Sequence, residues 1–306
     1  MDADPHVWAR RLSFPKPPAG SHDGDRKHIR QENSFFFQSA WWLLSDHAHW
    51  VNPYESRRRA KNKMVQLAVA KAQGLEIPET RYSNDPSEIR AFADSRPGAV
   101  IYKPHRISQF EEDAVTLLLH TSVFNARDYS DEALALCTGI FQTRVAKAFE
   151  LRVHVMGDFV LAVRIDSQAS EISKEDWRDA DFLDLGMERF DLPEHVVEAV
   201  KGTIRGLGLV FGIVDLIVTP EGDFVFLEVN EMGQFLWVER ACPDIRLLDH
   251  FCNYLENPAG YAGALEGVPV AYENIRNDTD ARNRFAKLKA DAPEPDYEVE
   301  WIDVLV

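Results

Sequence analysis

The sequence predicts a mixed protein of the α+β or α/β class, large enough for two or three lobes. Its 306 residues can bury more than one core, and helix-forming and strand-forming segments are interspersed along the chain. The most informative segments are two short apolar runs, 212–217 and 226–230. The turn-forming residues 220–223 lie between them, so the two runs are expected to form a β-hairpin.

This hairpin carries oxygen-bearing side chains. Asp215 lies on its first strand, and Glu228 and Asn230 lie on its second strand. Because side chains alternate along a strand, Glu228 and Asn230 point to the same face. Carboxylates buried among apolar strands require a compensating cation, and Mg²⁺ takes one or two protein carboxylates together with phosphate oxygens. The pattern predicts a Mg²⁺–nucleotide site; the alternative is a solvated hairpin whose acids face water.

The first half of the chain alternates between breaker-rich and periodic segments, each of which predicts an element. In order they are an irregular segment 1–32, a buried aromatic helix over 35–44 capped by Asn33 or Ser34, a helix over 56–73 ended by Gly74, a short helix over 87–94, and a strand over 99–103 stopped by Pro104.

The second half is richer in strand signals, with turns at glycine and a helix start at proline. In order the predicted elements are a short helix over 129–136, strands over 140–145 and 150–156, a turn at Gly157 and Asp158 into a strand over 159–165, a helix over 193–207, the hairpin, a helix over 244–256, and an appendage or tail over 258–306.

The composition narrows the function classes. A net charge of −16 argues against nucleic acid and anionic membranes as partners, since both require clustered Lys and Arg. No apolar stretch is long enough to span a bilayer, and the N-terminus lacks a signal-peptide core. The odd count of three cysteines, without metal-ligand spacing, indicates reduced thiols and a cytoplasmic location. Cys137, in an apolar context, is expected to be a small core residue.

Basic residues that can hold phosphates lie before and between the acidic positions along the sequence. Lys103 ends a strand and presents a compact positive charge at that edge. Lys63 lies in a helix, where a solvated helix face is an alternative interpretation. Arg178 lies in an acidic stretch, where a surface ion pair of little energetic value is the alternative.

Arg152 belongs to a strand with an unusual polar face. Glu150, Arg152 and His154 alternate with apolar residues and therefore share one face of the strand. Three ionisable groups in a row are either exposed to solvent or line a cleft. None of these positions alone indicates a function. The informative feature is their order along the chain.

In that order the chain resembles the ATP-grasp superfamily, and within it the microviridin-type ligases that cyclise ribosomal peptides, the graspetide synthetases. The likeness extends over about residues 50–256. The stretches that carry it are 50–53, 62–67, 74–80, 102–104, 141–142, 147–153, 165–170, 176–178, 227–230 and 233–237.

The resemblance implies an ATP-grasp fold, in which two α+β lobes sandwich ATP, with a reduced N-terminal domain. The implied divisions are a pre-grasp region 1–60, a central and lid lobe 61–148, a C-terminal lobe 149–257 with the Mg²⁺ site, and the tail 258–306. The segment 104–139 has no glycine before Gly139, which fits the graspetide branch better than the glutathione-synthetase branch.

The resemblance also implies a role for each site residue. Lys63 and Lys103 would grip the ATP phosphates, and Arg152 and Arg178 would stabilise the transferring phosphoryl group. The hinge over adenine and ribose would be Gln142, Thr143, Arg144, Val145 and Lys147, although Thr143 stands where an acid often follows the glutamine. Asp215, Glu228 and Asn230 would hold Mg²⁺.

The implied activity is an ADP-forming ligase that makes amide or ester links between side chains of a ribosomal precursor peptide through an acyl phosphate. A lid over about 100–146 would exclude water. A leader segment of the peptide would dock near Asp166, Glu171 and Asp176, for which a solvated acidic loop is the alternative. The resemblance further implies a homodimer.

Two other functions remain open at this stage. The first is an ATP-grasp ligase that joins amino acids or glutamate to small molecules or protein tails. The second is a non-catalytic peptide-binding module on a degenerate grasp fold, which the reduced N-terminal region favours and the three predicted metal ligands disfavour.

Overall fold

The computed structural model of the chain describes residues 5–10, 15–96, 98–105, 108–112, 115–119, 121–168, 183 and 185–291, with the backbone alone for 108–112, 115–119 and 289–291. Helices and strands alternate through this part of the chain. The helices are α1 (Asp23–Ser45), α2 (Tyr54–Ala60), α3 (Lys63–Ala72), α4 (Pro86–Asp94), α5 (Asp131–Ala135), α6 (Glu194–Gly206), α7 (Leu236–Ala241), α8 (Leu247–Glu256), α9 (Tyr272–Asn277) and α10 (Thr279–Asp291).

The strands form two larger sheets and two small pairs. They are β1 (His6–Trp8), β2 (His49–Val51), β3 (Thr80–Ser83), β4 (Val100–Lys103), β5 (Ser108–Glu112), β6 (Val115–Leu119), β7 (Ser122–Val123), β8 (Gly139–Thr143), β9 (Phe149–Met156), β10 (Phe159–Ile165), β11 (Met187–Phe190), β12 (Phe211–Val218) and β13 (Phe224–Asn230). β1 pairs with β2 in parallel, and β5 pairs with β6 in an antiparallel hairpin.

The N-terminal predictions were wrong in three respects. The segment 1–32 is not irregular throughout, because it contains β1 and the first ten residues of α1. The cap of α1 is His22, whose side chain accepts a hydrogen bond from the Gly24 N–H, rather than Asn33 or Ser34. The aromatic part of α1 is also not buried: Phe35 and Phe36 are 70% and 69% exposed, and no side chain of the helix is buried.

The predicted helix 56–73 is two helices. α2 ends at Ala60 and α3 begins at Lys63, because Asn62 turns its side chain onto the N–H groups of Met64 and Val65 as an N-cap. Gly74 follows α3 with φ +90°, as expected for a residue that ends a helix in the left-handed conformation. This break places Lys63 in the first turn of α3.

The smaller of the two main sheets is antiparallel, with strand order β3-β8-β4-β7. One side of it packs against α4 through a compact apolar cluster. Its buried members include Ile89, Phe92, Val100, Phe124 and Phe141. The predicted helix 87–94 is confirmed by α4, and the predicted strand 99–103 is confirmed by β4.

The larger sheet is also antiparallel, with strand order β11-β10-β9-β12-β13. The predicted turn at Gly157 joins β9 to β10, and the predicted hairpin is formed by β12 and β13. Asp215 lies opposite Glu228, and a register shift follows between Asp215 and Leu216. The pairing of Asp215 with Glu228 is the feature that builds the site described below.

The two faces of the larger sheet pack against different helices. One face holds Leu151, Val153 and Val155 against α3 and α6. The opposite face begins with an apolar region against α7 and α8, around Phe211 and Phe251. Toward the other end of that face the residues become polar. Glu150, Arg152 and His154, which alternate along β9, lie on this face and are all buried, so they are not a solvent-exposed row.

Three further expectations concern the rest of the chain. The predicted tail 258–306 contains α9 and α10 within its described part. Cys137 is exposed, which corrects the expectation of a core residue. Among the described residues, no helix is both long enough and apolar enough to cross a bilayer.

Candidate active site

The polar part of the larger sheet is organised around a buried ion pair between neighbouring strands. Asp215 on β12 lies opposite Arg152 on β9 and opposite Glu228 on β13. Arg152 and Asp215 are 3% and 6% exposed. The Arg152 Nη1 donates to both Asp215 oxygens, at 2.9 Å to Oδ1 and 3.3 Å to Oδ2. Each charge therefore compensates the other in a region that excludes water.

The loop after β13 holds the other side of the Arg152 guanidinium. The Gln234 carbonyl oxygen accepts a hydrogen bond from the Arg152 Nη2 at 2.9 Å and one from the Trp237 Nε1 at 3.0 Å. The Trp237 ring lies against the guanidinium, whose Cζ is 5.3 Å from the ring centroid. The position of this cation is thus fixed from two directions before any ligand binds.

Lys63 reaches the hairpin from the first turn of α3. Its Nζ lies 2.9 Å from the Glu228 Oε2, and both side chains are 30% exposed. The interpretation of Lys63 as a solvated helix-face residue is therefore wrong, because the side chain contacts one of the predicted metal ligands. Asp215 and Glu228 each have a protein cation beside them, so burial alone does not require a metal ion at this position.

Asn230 lies at the end of β13 with its side chain turned onto the next residues. Its Oδ1 accepts hydrogen bonds of 3.2 Å from the N–H groups of both Met232 and Gly233. Gly233 has a φ of +66°, which closes this turn. The oxygen predicted to bind Mg²⁺ thus also holds the turn that leads to the Gln234 carbonyl.

A second ion pair lies where the chain passes from the smaller to the larger sheet. The Lys147 Nζ is 2.8 Å from the Glu150 Oε1, and both side chains are largely buried. The Ala148 N–H donates to the Val218 carbonyl at 2.8 Å, which fixes the connection to β12. Glu150 shares a sheet face with Arg152, so Lys147 adds positive charge next to that face.

The other predicted nucleotide contacts lie on the smaller sheet. Gln142 is 2% exposed, and its Nε2 donates to the Thr80 Oγ1 at 2.9 Å, while its buried Oε1 has no hydrogen-bond partner among the described residues. The N–H groups of Thr143 and Arg144 donate to the carbonyls of Glu79 and Ala99. Lys103 ends β4, opposite Ile140, and Val145 follows Arg144 in the connection between the sheets.

The structure thus brings together five of the predicted residues. The group on and beside the hairpin is Lys63, Arg152, Asp215, Glu228 and Asn230. Lys103 and 142–145 belong to the smaller sheet. Asp166 follows β10 and donates its N–H to the Gly186 carbonyl. Arg178, Glu171 and Asp176 lie outside the described residues.

Of the two basic residues on the polar face of β9, only Arg152 carries a positive charge at physiological pH. Burial, reinforced by the charge of Arg152, lowers the pKa of His154 to about 3. His154 is therefore neutral at physiological pH, and the positive charge on this strand face belongs to Arg152. The sequence alone shows two basic residues on the face, and only their burial distinguishes them.

Two amide residues at the site were missed by the sequence analysis. Asn52, 2% exposed, bonds the backbone of Phe211 at the start of β12 and the Glu231 carbonyl after β13. Gln66, 4% exposed, bonds both backbone polar groups of Val229. The i, i+3 spacing of Lys63 and Gln66 on one helix was a usable signal for the second.

The chemistry of this group suits a hard cation shared with phosphates. Among the described residues, no group of three or more His, Cys, Asp and Glu side chains can hold a metal ion. The predicted set is instead two carboxylates and an amide, which leave part of an octahedral shell to other oxygens.

Comparison with known proteins gives a consistent result at the level of structure. No protein-family profile matches the chain, and no curated protein matches it. Among solved structures, an ATP-grasp ligase from Chryseobacterium gregarium, associated with ribosomal-peptide biosynthesis and bound to ADP and to leader and core peptides, superposes with a TM-score of 0.71. Its sequence is 26% identical, and the match covers 81% of this chain and 74% of that one.

Two macrocyclases from Microcystis aeruginosa are also similar. MdnC, bound to its precursor peptide MdnA, has a TM-score of 0.65 and 26% identity, and the match covers 78% of this chain and 73% of MdnC. MdnB has a TM-score of 0.63 and 28% identity over the same shares of the two chains. These likenesses show that the chain has the fold of ATP-grasp ligases, and together with the paired acids of the hairpin they support a ligase of the graspetide type.

Proposed function

We propose that the protein uses ATP and Mg²⁺ to join side chains of a ribosomal precursor peptide through amide or ester bonds. The observation that carries this proposal is the pairing of Asp215 with Glu228 across the hairpin, with Arg152 and Lys63 each at 2.9 Å from one of them. Such a group offers anionic oxygens for a metal ion and cations for phosphates within one region. Phosphoryl transfer requires mainly these two things of a protein.

The donor set fits Mg²⁺ once phosphates are present. In the structure two acids and two cations of the site balance each other in charge. A polyphosphate gives Lys63 and Arg152 new partners, which leaves Asp215 and Glu228, with Asn230, to hold the ion. When bound, Mg²⁺ neutralises charge on the phosphate oxygens. The fit therefore depends on nucleotide and metal binding together.

The proposed nucleotide contacts extend across both sheets. Lys63 and Lys103 hold phosphates, and the segment 142–147 borders adenine and ribose. The buried Gln142 Oε1, which lacks a donor among the described residues, supports this assignment because a purine amino group supplies one.

The first chemical step activates a carboxyl group of the peptide. A side-chain carboxylate oxygen of an Asp or Glu attacks the γ-phosphorus of ATP, the bond from that phosphorus to the β,γ-bridging oxygen breaks, and ADP leaves with the electron pair. Arg152 stabilises the negative charge on the transferring group, because Asp215, Gln234 and Trp237 fix its position. Arg178 is proposed for the same role from the resemblance alone.

The second step closes the link. A Lys amine or a Ser or Thr hydroxyl attacks the acyl carbon, the bond from that carbon to the phosphate oxygen breaks, and inorganic phosphate leaves while the nucleophile loses its proton to solvent. Each link thus consumes one ATP and removes the elements of one water from the peptide. Because acyl phosphates hydrolyse, we propose that the lid region 100–146, which includes the β5–β6 hairpin, covers the site.

The partners and location follow from the same proposal. The leader of the precursor peptide would dock near Asp166, Glu171 and Asp176, where acidic side chains suit a basic residue of the leader. Three cysteines without disulfide bonds agree with a cytoplasmic enzyme.

We also propose that two copies of the chain pair through the C-terminal half of α1. This surface, here called the α1 patch, consists of Phe35, Phe36, Trp42, Leu43 and Leu44, all exposed. A helix of 23 residues without a buried side chain gains little from packing within one chain. An apolar helix face is complementary to a second copy of itself about a two-fold axis, without any need for matched charges.

Mass spectrometry of a peptide encoded beside the gene, incubated with the protein and Mg²⁺–ATP, tests the activity. Successive losses of one water per link in the wild-type reaction, absent with Asp215→Asn, are expected. ATP turnover with free amino acids but no change in peptide mass would indicate a small-molecule ligase instead. Peptide binding without ATP turnover would indicate a binding module.

A further inference from the structure

The outer edge of β13 is completed by a side chain. β13 is the last strand of its sheet, and among the described residues its outer side is met by no further strand but by an isolated bridge at Val225, where the Phe226 N–H donates to the Glu76 carbonyl at 2.8 Å. At Val229 the Gln66 carboxamide takes the place of a further strand: its Oε1 accepts from the Val229 N–H and its Nε2 donates to the Val229 carbonyl, both at 2.9 Å. This pair of bonds reproduces the pattern of an antiparallel strand.

The Gln66 amide is held in one orientation. Its Nε2 also donates to the Ala60 carbonyl at 2.5 Å, at the end of α2, and the residue is 4% exposed. With two carbonyls on one side and one N–H on the other, only a neutral amide in this orientation satisfies all three groups. The geometry therefore requires glutamine in particular at this position, rather than any polar residue of the same length.

Val229, the residue that Gln66 hydrogen-bonds, lies between two predicted metal ligands. Val229 separates Glu228 from Asn230, and its own side chain packs on the opposite, apolar face of the sheet. Fixing the Val229 peptide groups fixes the directions in which both neighbours project. Lys63, one turn earlier on α3, contacts Glu228 itself, whereas Gln66 contacts only the backbone of the strand.

We propose that Gln66 is a positioning residue that holds the metal-binding segment of β13 in place. The proposal rests on the proposed function, since it assigns Gln66 a role toward the Mg²⁺ ligands. It is distinct from a role in folding alone, because two of the three hydrogen bonds hold the peptide groups on either side of Val229, which join it to the two predicted ligands.

A substitution with the same shape isolates this role. Gln66→Glu keeps the size of the side chain but places an acceptor against the Val229 and Ala60 carbonyls. Burial raises the pKa of the introduced carboxyl, so acidification from about pH 8 to about pH 6 restores one donor. Gln66→Met removes all three bonds at every pH. Gln73→Glu makes the same chemical change at an exposed position just after α3 and is the matched control.

Two measurements are required. The affinity for Mn²⁺ in the presence of ADP reports on the predicted metal-binding side chains. It is measured from the electron paramagnetic resonance signal of free Mn²⁺. Backbone amide exchange at Val229 without nucleotide reports on the strand. We expect Gln66→Glu to weaken Mn²⁺ binding about tenfold at pH 8 and less at pH 6, relative to the wild type at each pH. Gln66→Met should weaken it equally at both pH values, and both variants should accelerate exchange at Val229.

Three outcomes would overturn the proposal. Equal Mn²⁺ affinity in Gln66→Glu and Gln73→Glu would do so. Faster exchange at Val229 with unchanged affinity would show that Gln66 acts on stability alone. A wild-type protein that binds no Mn²⁺ with ADP would refute the proposed function itself. This outcome differs from the first one, in which the wild type does bind Mn²⁺.

Discussion

At the scale of single residues, the site is built from charges that already have partners. Arg152 and Asp215 are buried together, and neither reaches solvent that could compensate for the loss of the other. Removal of one partner of such a pair typically costs about 3–5 kcal/mol, whereas removal of both with good packing can be nearly neutral. Stability and catalysis therefore make different demands on this pair.

Arg152→Met should lower the free energy of unfolding by about 3–5 kcal/mol and abolish peptide ligation, because the buried Asp215 carboxylate loses the compensating charge of Arg152. The double variant Arg152→Met with Asp215→Leu should regain most of that stability and none of the activity. Urea denaturation and the peptide mass assay measure the two properties. A double variant as unstable as the single one would contradict the interpretation of the pair as mutually compensating.

In the proposed site, Lys63 competes with the metal ion for Glu228 when no nucleotide is present. We expect Lys63→Met to strengthen Mn²⁺ binding in the absence of nucleotide, since Glu228 is released, and to weaken binding of the Mn²⁺–ATP complex. A change of severalfold in each direction corresponds to about 1 kcal/mol, the value of a partly exposed ion pair. Titration calorimetry measures both affinities.

Lys61→Met is the control for Lys63→Met. Its Nζ is 3.9 Å from Glu231, the residue after Asn230, so it removes the same charge close to the site without touching a ligand. Equal effects of the two substitutions would show a general field effect and not a competition at Glu228.

The buried His154 makes stability depend on pH in a defined direction. Its pKa of about 3 in the folded protein is below the ordinary value of 6.5, so the unfolded chain binds the proton more readily. The neutral imidazole contributes stability that is complete above pH 6.5 and is lost as the pH falls toward 3. His154→Leu should flatten this part of the stability–pH curve, measured by urea denaturation; an unchanged slope would contradict the assignment.

At the scale of elements, the turn after β13 transmits position from the hairpin to Arg152. Asn230 holds the turn through Met232 and Gly233, and the next residue, Gln234, binds the guanidinium with its carbonyl. Gly233 has no room for a larger residue, since an added Cβ would lie 2.5 Å from the Phe211 ring. The loop is thus a structural link between two parts of the site.

Gly233→Ala should cost about 2–4 kcal/mol of stability, from left-handed strain and from the clash with Phe211, and should reduce kcat through displacement of Arg152. Gly222→Ala is the matched control, because Gly222 has a φ of +94° in the β12–β13 turn but open space around it. The control should lose about 1 kcal/mol and keep kcat. Thermal denaturation and steady-state kinetics separate the two; a full loss of kcat in the control would contradict this account.

Elements whose burial is set locally could be predicted from the sequence, and those set by distant partners could not. The hairpin predicted from the apolar runs 212–217 and 226–230 is confirmed by β12 and β13, because neighbouring strands bury these residues directly. α1 was expected to be buried because it is aromatic, yet burial depends on a neighbour that the local sequence does not specify. The break before Lys63 follows from the competing hydrogen bonds of Asn62, which outweigh the helix propensity of 56–73.

The candidate site shows the same division. Ligand type and strand alternation were sufficient to select Asp215 and Glu228, whose metal-binding role stays a prediction. The partners Gln66 and Asn52 are separated from β13 by more than 150 residues in the sequence, so the sequence does not reveal that they contact it, even though the i, i+3 spacing places Gln66 near Lys63 on α3. Their roles emerge only from tertiary pairing.

At the scale of the whole molecule, the α1 patch is an exposed apolar surface. Phe35→Glu together with Phe36→Glu should convert a homodimer to monomers, because each charge would be buried without a partner in the interface. Light scattering coupled to size exclusion measures this. Glu32→Lys, on the same helix but outside the patch, should leave the dimer intact. A wild-type protein that is monomeric at micromolar concentration would contradict the pairing.

The hairpin site is proposed to activate a peptide carboxyl group as an acyl phosphate. A precursor peptide whose Asp and Glu side-chain carboxylates carry heavy oxygen tests this most directly, by mass analysis of the phosphate released with Mg²⁺–ATP. We expect one heavy oxygen to enter inorganic phosphate for each link formed. We expect the Asp215→Asn variant to release no labelled phosphate. Links that form while the phosphate stays unlabelled would contradict it.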